Sequence, residues 1–298
     1  MSDYAVILSA RMSSTRLPGK PLVSYCPDGT PNLLQIYHRW QASKRNPTIV
    51  IATSTYSDDN AIAELCRKRN IACYRGPRDD VVTRMDNALK EFAPDSKYVA
   101  RALADNPLVD VDLADWRYDV LCETGADGLY YGGQESRITY AGTTDVWNRA
   151  AWDRIAELSQ GEQREHPGAH YWDHIAKFSA VQLPLPRREY IAPFRTELDT
   201  AEDLEMFGLL WRYTDCRDTL LALQFLDDHP EVAMINAHVE VKTQSRPSYG
   251  RGSAFVCRDC QSRTGTVDNG NLILRCSRCG RPQKFYNQKP IKPSMMRY

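Results

Sequence analysis

The chain has 298 residues, of which 42% are hydrophobic and 26% are charged, and its 38 Lys and Arg balance its 38 Asp and Glu. This composition excludes disordered and fibrous proteins, and the length predicts one large domain beside a smaller module. Because no run of about eighteen apolar residues occurs and the N-terminus lacks the pattern of a secretory signal, we expect a cytoplasmic protein without a membrane partner.

The charges are unevenly distributed along the chain. Residues 246–298 contain 11 Lys and Arg but only two acids, Asp259 and Asp268, which leaves 27 bases and 36 acids for the rest. We predict that this basic segment contacts a negatively charged partner or docks onto the acidic body of the same chain.

The predicted elements of the first half alternate between apolar, β-branched runs and segments of helical period. In order they are strand Tyr4–Leu8, helix Leu33–Lys44, strand Thr48–Ala52, helix Asp58–Lys68, strand Ile71–Tyr74, helix Val81–Phe92 and strand Tyr98–Ala102. Such alternation is typical of βαβ units, so we predict an α/β fold with a mostly parallel central sheet. The pairs Asp58-Asp59 and Asp79-Asp80 stand at helix starts, where acids cap free N–H groups.

The pattern is weaker after Asp110. Strand-like stretches occur at Gly128–Tyr131 and Val181–Leu185, and helical stretches at Trp147–Leu158 and Ala201–Tyr213. We therefore predict an insertion or a substrate-covering region in this part of the chain.

A segment rich in Ser, Arg, Gly and Pro follows residue 243 and has neither period nor apolar content. Such composition is typical of a linker. We predict a main domain at 1–245, a linker at 246–253 and a small module with a basic tail at 254–298.

The loop after the first strand carries the first sign of function. It holds Arg11, Arg16 and Lys20 among small residues. In an open parallel sheet, ligands lie beyond the carboxyl ends of the strands. Small side chains let the backbone approach a phosphate chain, and the three cations supply countercharge. The loop is neither a Walker P-loop nor a GxGxxG motif, but this pattern favours phosphate binding over a solvated basic connection.

Two aspartates are predicted to face the same cleft. Asp105 follows the strand Tyr98–Ala102, and Asp199 lies just before the helix that begins near Ala201. Mg²⁺ prefers hard oxygen ligands, usually one or two carboxylates with phosphate and water. Two aspartates that are this far apart in the sequence can converge on one Mg²⁺, and the pattern also allows Asp199 to cap the helix.

The string Ala10–Leu22 resembles the signature of the cytidylyltransferase family that includes spore-coat polysaccharide synthesis proteins and the acylneuraminate and Kdo CMP-sugar synthetases. The resemblance continues in order through four further segments, which are Arg75–Val81, Arg101–Asp110, Glu197–Leu204 and His229–Val239. It covers about residues 4–242. It implies a Rossmann-like, GT-A-like nucleotidyltransferase fold and the homodimer that is usual in the family.

The resemblance also implies a reaction, in which an acceptor oxygen attacks the α-phosphorus of CTP and pyrophosphate leaves. Arg11, Lys20, Asp105 and Asp199 are the implied catalytic residues, the two aspartates as ligands of Mg²⁺. The implied nucleotide-binding residues are Leu8, Ala10, Arg11, Arg16, Lys20, Arg75, Gly76, Arg101 and Asp105. Positioning and electrostatics would carry such catalysis. The choice of CTP over another nucleotide comes from the resemblance alone.

The acceptor side is less clear in the sequence. Arg137, His166, His170 and Arg195 fall where the family places acceptor-binding residues. A guanidinium suits an acidic acceptor, such as a sugar acid, a phosphonate or a carrier-bound group. Each His fits the exposed face of a helix equally well.

Four of the nine cysteines have metal-ligand spacing. They form two Cys-x₂-Cys pairs separated by fifteen residues, and the four positions are Cys257, Cys260, Cys276 and Cys279. This spacing predicts a zinc ribbon, in which four sulfurs leave no open position and the Zn²⁺ is structural. The other five cysteines show no pattern, and we expect them to be reduced and packed.

The predicted ribbon has several possible partners. We favour docking onto a carrier protein, a pathway partner or the other subunit, and nucleic acid is the alternative because the module is basic. A different class of function follows if the transferase fold is degenerate, in which case the chain binds nucleic acid or a partner through the ribbon. The family core typically ends without such a module.

Overall fold

The computed structural model describes residues 2–131, 138–184, 194–214 and 216–239, together with the backbone of two short strands at 265–267 and 274–276. The predicted linker at 246–253 and the ribbon positions Cys257, Cys260 and Cys279 lie outside the described residues. The division into a main domain, a linker and a ribbon therefore stays a prediction.

A seven-stranded sheet forms the centre of the described chain, with strand order β3-β2-β1-β4-β6-β5-β7. Its strands are β1 Tyr4–Ser9, β2 Thr48–Ser54, β3 Cys73–Gly76, β4 Tyr98–Leu103, β5 Gly128–Tyr130, β6 Asp145–Asn148 and β7 Ala180–Gln182. All neighbouring pairs are parallel except those made by β6, which runs antiparallel to β4 and to β5. The predicted α/β fold with a mostly parallel sheet is confirmed.

Helices connect the strands and cover the sheet. They are α1 Asn32–Gln41, α2 Asn60–Arg69, α3 Val81–Phe92, α4 Val111–Thr124, α5 Arg149–Leu158, α6 Ala169–Asp173, α7 Ala201–Tyr213, α8 Thr219–Asp228 and α9 Pro230–Ala233. The predicted helices over 81–92 and 201–213 are confirmed at both ends. Within the described ranges, no helix is both long and apolar enough to cross a membrane.

The β6–α5 region differs from the sequence-based prediction of one helix from Trp147. Trp147 belongs to β6, where it pairs with Val99 and with Gly128 and is 1% exposed. The helix begins only at Arg149, because the side chain of Asn148 accepts a hydrogen bond from Ala151 N at 2.7 Å and caps it.

Four helices were not among the elements predicted from the sequence, and they are α4, α6, α8 and α9. Helix α4 buries Asp115 and Arg117 together with its apolar residues, which obscures the helical period. Charged side chains rarely occupy buried positions without partners, and both have them here.

Strand β1 explains why the cleft forms where it does. Every residue of β1 is buried, and it lies between β2 and β4, parallel to both. The ladder extends past the strand end, since Ala104 N donates to Ser9 O at 3.1 Å. The loop after β1 and the residues after β4 therefore meet at one edge of the sheet.

The two acidic pairs at helix starts have different roles. Asp80 caps α3, as predicted, and accepts a hydrogen bond from Thr83 N at 2.8 Å. Asp59 stands at the start of α2 but does not cap it, so that prediction is wrong. Its buried carboxylate instead accepts from Met12 N at 2.7 Å and Ser54 N at 3.1 Å, and this anchors the first loop to β2.

Two short strands are described in the C-terminal part, β8 Gly265–Val267 and β9 Leu274–Cys276. They pair antiparallel, with Gly265 opposite Cys276 and Val267 opposite Leu274. Residues 268–273, which connect them, lie outside the described residues.

The five cysteines without metal-ligand spacing are free, as expected for reduced thiols. They are Cys26, Cys66, Cys73, Cys122 and Cys216. Cys122 is exposed, so the prediction that all five are packed is wrong for this residue.

Candidate active site

A cleft of about 1100 Å³ opens at the carboxyl edge of the sheet. Nine residues predicted for function line it, and they are Ala10, Arg11, Arg16, Lys20, Arg101, Asp105, His166, Arg195 and Asp199. Four others, Leu8, Arg75, Gly76 and His170, are not on its wall. Arg137 lies outside the described residues.

The centre of the cleft is an ammonium between two carboxylates. Lys20 Nζ lies 3.2 Å from Asp105 Oδ2 and 3.0 Å from Asp199 Oδ1, and Arg16 also forms an ion pair with Asp199. Burial disfavours the charged ammonium, but the two carboxylates outweigh it, and the pKa of Lys20 is raised. Three residues that are far apart in the sequence thus converge on one point.

A buried amide holds this arrangement together. Asn32, at the start of α1, is fully buried, and its Nδ2 donates to Ala104 O at 2.6 Å and to Lys20 O at 3.3 Å. The first loop is thereby joined to the end of β4. Leu198 N donates to Asp105 O at 2.9 Å, which brings the segment of Asp199 to the same place.

Tyr140 orients the carboxylate of Asp105. Its hydroxyl donates to Asp105 Oδ1 at 2.9 Å, while Lys20 contacts the other oxygen. Burial, followed by the charge of Asp105, raises the pKa of Tyr140 well above its usual range, so the phenol stays a donor. Asn106 Nδ2 donates to Tyr140 O at 3.0 Å and fixes the backbone around it.

Asp199 owes its position to the buried carboxylate of Asp203. Asp203 Oδ2 accepts from Asp199 N at 2.8 Å and from Thr200 N at 2.9 Å, and Thr200 caps α7. The alternative in which Asp199 caps this helix is wrong, and its side chain is left to bind Lys20. Asn236 Nδ2 also donates to Asp203, at 2.9 Å, and so ties the C-terminal end of the described domain to the site.

Arg195 lines the cleft, but its guanidinium is engaged inside the fold. Its Nε and Nη2 donate to Asp203 at 2.7 and 2.9 Å, and its Nη1 lies 3.1 Å from Glu197 Oε2. Every guanidinium nitrogen therefore already has a carboxylate partner.

Arg75 and Gly76 stand behind the cleft wall. Arg75 Nε donates to Ser54 O and its Nη2 to Tyr56 O, each at 3.0 Å. A side chain at Gly76 would place its Cβ 2.6 Å from a ring carbon of Tyr74, so only glycine allows this close approach.

Arg11, a residue of the first loop, contacts a backbone carbonyl oxygen and two exposed carboxylates. Its Nη1 donates to Arg78 O at 3.0 Å, and its Nη2 lies 3.4 Å from Glu165 Oε1. A second acid, Asp79, has its Oδ1 3.8 Å from Arg11 Nη1. On the other side of the cleft, Arg101 Nη1 lies 3.4 Å from Asp145 Oδ2.

The two predicted histidines differ in position. His166 lines the cleft, whereas His170 packs against His174, with ring centroids 4.6 Å apart. Burial and the neighbouring His174 lower the pKa of His170, so it is neutral near pH 7. The structure therefore separates the two positions.

Sequence reasoning missed several cleft residues, namely Arg84, Arg117, Tyr140 and, as a functional group, Glu197. Burial and the charge of Asp105 raise the pKa of Glu197 to about 7, although Arg195 opposes this. The available signal for Arg84 and Arg117 was a charged residue on an otherwise apolar helix face. Tyr140 carries no comparable signal.

The donor chemistry of the centre fits Mg²⁺. The carboxylates of Asp105 and Asp199 both contact one ammonium, so a single cation can reach both. Among the described residues, no set of three or more His, Cys, Asp or Glu is arranged as a metal site. Two carboxylates suffice for Mg²⁺ when phosphate and water complete its coordination.

Comparison with known proteins agrees with this geometry. A profile described as "Cytidylyltransferase" matches residues 5–213. The spore coat polysaccharide biosynthesis protein SpsF of Bacillus subtilis is 29% identical over 243 residues, which cover 78% of this chain and 98% of that protein. The 3-deoxy-manno-octulosonate cytidylyltransferase of Actinobacillus succinogenes is 26% identical over 240 residues, with 71% and 87% covered.

A solved structure shares the fold. A cytidylyltransferase from Leptospira borgpetersenii superimposes with a TM-score of 0.70 at 22% identity, covering 78% of this chain and 97% of that chain.

Proposed function

The chain belongs to the cytidylyltransferase family, and from this membership we propose that it transfers CMP from CTP to an acidic acceptor and releases pyrophosphate. The observation that carries the proposal is the contact of Lys20 with both Asp105 and Asp199 in a cleft at the carboxyl edge of the sheet. One ammonium between two carboxylates provides a cation for phosphate and ligands for Mg²⁺ at the same point.

Each polar residue of the centre has a role in this reaction. Asp105 and Asp199 would hold Mg²⁺, which supplies charge neutralisation at the phosphates when bound. Lys20 and Arg16 bind the triphosphate and stabilise the charge that develops as the bond between the α-phosphorus and the bridging oxygen breaks. Tyr140 keeps Asp105 in place. The acceptor oxygen attacks the α-phosphorus, and no covalent intermediate on the protein is needed.

An acidic acceptor is supported by the other half of the cleft. Arg117 is 3% exposed and lines the cleft, and it donates to the carbonyl oxygens of Thr144, at 3.0 Å, and of Gly142. Among the described residues it has no carboxylate partner, which suits a negatively charged ligand. His166 lines the same cleft, and Arg137 remains a candidate from the sequence.

Calorimetric titration of the protein with CTP, UTP, ATP and GTP in the presence of Mg²⁺ tests the proposal. We expect CTP to bind selectively. If none of the four binds, the alternative in which the chain acts as a binding protein through its C-terminal segment gains support. Tight nucleic-acid binding with a steep salt dependence would then identify the partner.

Replacing Tyr140 with Phe should raise the Mg²⁺ concentration that half-saturates turnover by about tenfold or more, because a hydrogen bond to a charged group contributes about 1.5–3 kcal/mol. The fold should survive, since only the hydroxyl is lost. The measurement is the Mg²⁺ dependence of pyrophosphate release at saturating CTP. Tyr130→Phe is the matched control, because Tyr130 bonds Gln182 and not Asp105. An unchanged Mg²⁺ requirement in Tyr140→Phe would remove this residue from the positioning of Asp105.

We also propose that the four cysteines of the C-terminal segment bind one structural Zn²⁺. The antiparallel pairing of β8 with β9, which ends at Cys276, is compatible with a ribbon. A homodimer and docking of this module onto a carrier protein or a pathway partner are further proposals from the sequence.

Replacing Cys276 with Ser is expected to lower bound zinc from about one equivalent to none, since a structural site needs all four thiolates. Metal analysis of the purified protein measures this directly. Cys122→Ser, which removes an exposed cysteine outside the quartet, should keep its zinc. Full zinc retention in Cys276→Ser would contradict the four-sulfur site, and CTP binding should be unaffected in both variants.

A further inference from the structure

Arg84 is a buried cation on the wall of the cleft. It is the fourth residue of α3, is 1% exposed and lines the cleft near the first loop. Its Nη1 donates to Pro77 O at 2.7 Å and to Arg78 O at 2.9 Å. These bonds fix one end of the guanidinium and leave the rest of the group to other partners.

The charge of Arg84 has no direct counterion among the described residues. Two of the nearest acids have other partners, since Asp59 accepts a hydrogen bond from the first loop and Asp80 pairs with Arg164 at 2.7 Å. The third, Asp79, has a side chain that is 81% exposed. Arg84 Nε is a buried donor without a hydrogen-bond partner in the described structure. Burial, and then the charge of Arg11, lower the pKa of Arg84 to about 10, so it remains charged near pH 7.

A second guanidinium lies beside it. Arg11 Nη1 and Arg84 Nη1 both donate to the backbone carbonyl oxygen of Arg78, at 3.0 and 2.9 Å. Two like charges on one carbonyl repel each other, and an anion is the ligand that removes this repulsion. The acids near Arg11 give weak compensation, since Glu165 and Asp79 are exposed and lie at 3.4 and 3.8 Å.

The catalytic centre has the opposite character. There Lys20 and Arg16 are balanced by Asp105 and Asp199 within the same set of ion pairs. In the absence of a metal ion this centre therefore has little excess charge with which to attract an anion. Besides Arg117, which is assigned to the acceptor, the cleft cations that are not balanced in this way are Arg84 and Arg11.

We propose that Arg11 and Arg84 form an anion subsite that binds a phosphate group without a metal ion. Because both residues line the cleft of the proposed cytidylyltransferase, the inference rests on that function in identifying the phosphate as one from the pyrophosphate part of the nucleotide. A neutral base or ribose would leave the repulsion between the two guanidiniums in place, so these groups are not the ligand of Arg84.

The experiment is calorimetric titration with pyrophosphate and with cytidine, in EDTA, of the wild type, Arg84→Met and Arg84→Lys. We expect wild-type protein to bind pyrophosphate without metal, and Arg84→Met to weaken this binding by about tenfold or more. Arg84→Lys keeps the charge and should lie between them. The affinity for cytidine should be the same in all three proteins.

The control is Arg67→Met, which removes one positive charge at an exposed side chain of α2 that pairs with Glu64. It should bind pyrophosphate as the wild type does. Because Arg84→Met removes two bonds to buried carbonyls, its circular dichroism is compared with the wild type. If Arg84→Met does not fold, the comparison of pyrophosphate binding between the wild type and Arg84→Lys still tests the subsite.

Three results would overturn the subsite. The first is that the wild type does not bind pyrophosphate without metal, and the second is that folded Arg84 variants bind pyrophosphate as tightly as the wild type. The third is that the Arg84 variants lose as much affinity for cytidine as for pyrophosphate. Titration of the wild type with CTP and Mg²⁺ separates this failure from failure of the proposed function. If the wild type binds CTP selectively but the Arg84 variants bind pyrophosphate as the wild type does, the subsite is wrong and the proposed function stands. If pyrophosphate binding depends on Arg84 but the wild type shows no preference for CTP, the subsite stands and the assignment of CTP as the nucleotide is wrong.

Discussion

Replacement of Asp105 by Asn is expected to reduce metal-dependent turnover by about 10³-fold while leaving the fold intact. Asn has nearly the same shape and can still accept the hydrogen bond from Tyr140, so the change removes a charge and little else. A metal ion at a phosphoryl centre contributes several kcal/mol of transition-state stabilisation, and a neutral amide is a much poorer ligand for Mg²⁺ than a carboxylate.

The measurement is pyrophosphate release across a range of Mg²⁺ concentrations, beside thermal unfolding of the same preparations. Asp153→Asn is the matched control, because it removes a carboxylate that is 53% exposed and that pairs with Arg149 of the same helix, away from the catalytic centre. Turnover of Asp105→Asn equal to that of the control would remove Asp105 from the mechanism. Recovery of part of the activity at high Mg²⁺ would support a ligand role.

The second large effect is expected from Arg195→Met, which should lower the free energy of unfolding by about 3 kcal/mol. Asp203 is fully buried, and the substitution leaves its carboxylate without a counterion. The loss is at the lower end of the usual range because Asp203 keeps hydrogen bonds from Asp199 N, Thr200 N and Asn236. Urea-induced unfolding measures the change.

The same substitution separates two roles for Arg195. If Arg195 serves only the fold, any loss of CTP binding in Arg195→Met should accompany the loss of stability, since Asp203 also positions Asp199. An acceptor-binding role would instead show as a raised KM for the acceptor with unchanged stability. Arg67→Met is the control, because a solvent-exposed ion pair contributes little to stability.

The catalytic centre could be predicted from the sequence because its positions follow from a topological rule. Lys20 lies in the loop after β1 and Asp105 follows the end of β4, and the two strands are neighbours in the sheet. Their meeting at one edge follows from this topology without knowledge of side-chain packing. Asp199 was harder to place, since its position depends on hydrogen bonds to a buried carboxylate four residues later.

Buried partners explain what the sequence could not show. Arg195 looked available to an acceptor because nothing in its spacing shows that Asp203 lies beneath it. Arg75 looked like a nucleotide ligand but binds backbone carbonyls, and backbone geometry has no sequence code. Arg84 looked like an ordinary helical residue until its burial and missing counterion became visible.

The secondary structure shows the same limit. Helix α3, in which Arg84 is the one buried charged side chain, was located to the residue, whereas the bounds of α4, which buries both Asp115 and Arg117, were not predicted. Trp147 was placed in a helix although it belongs to β6, an interior strand of the sheet.

The ion pairs of Lys20 determine how the catalytic centre responds to free metal ions. Since the charges of Lys20 and Arg16 already balance those of Asp105 and Asp199, the resting protein needs no inorganic cation to hold its catalytic centre together, and chelators should leave the melting temperature of the sheet-containing domain unchanged. A free divalent ion would have to displace the lysine from both carboxylates, whereas a nucleotide offers the lysine new oxygens at the moment the ion arrives. The protein can therefore remain indifferent to swings in free metal and respond only when metal and nucleotide come together.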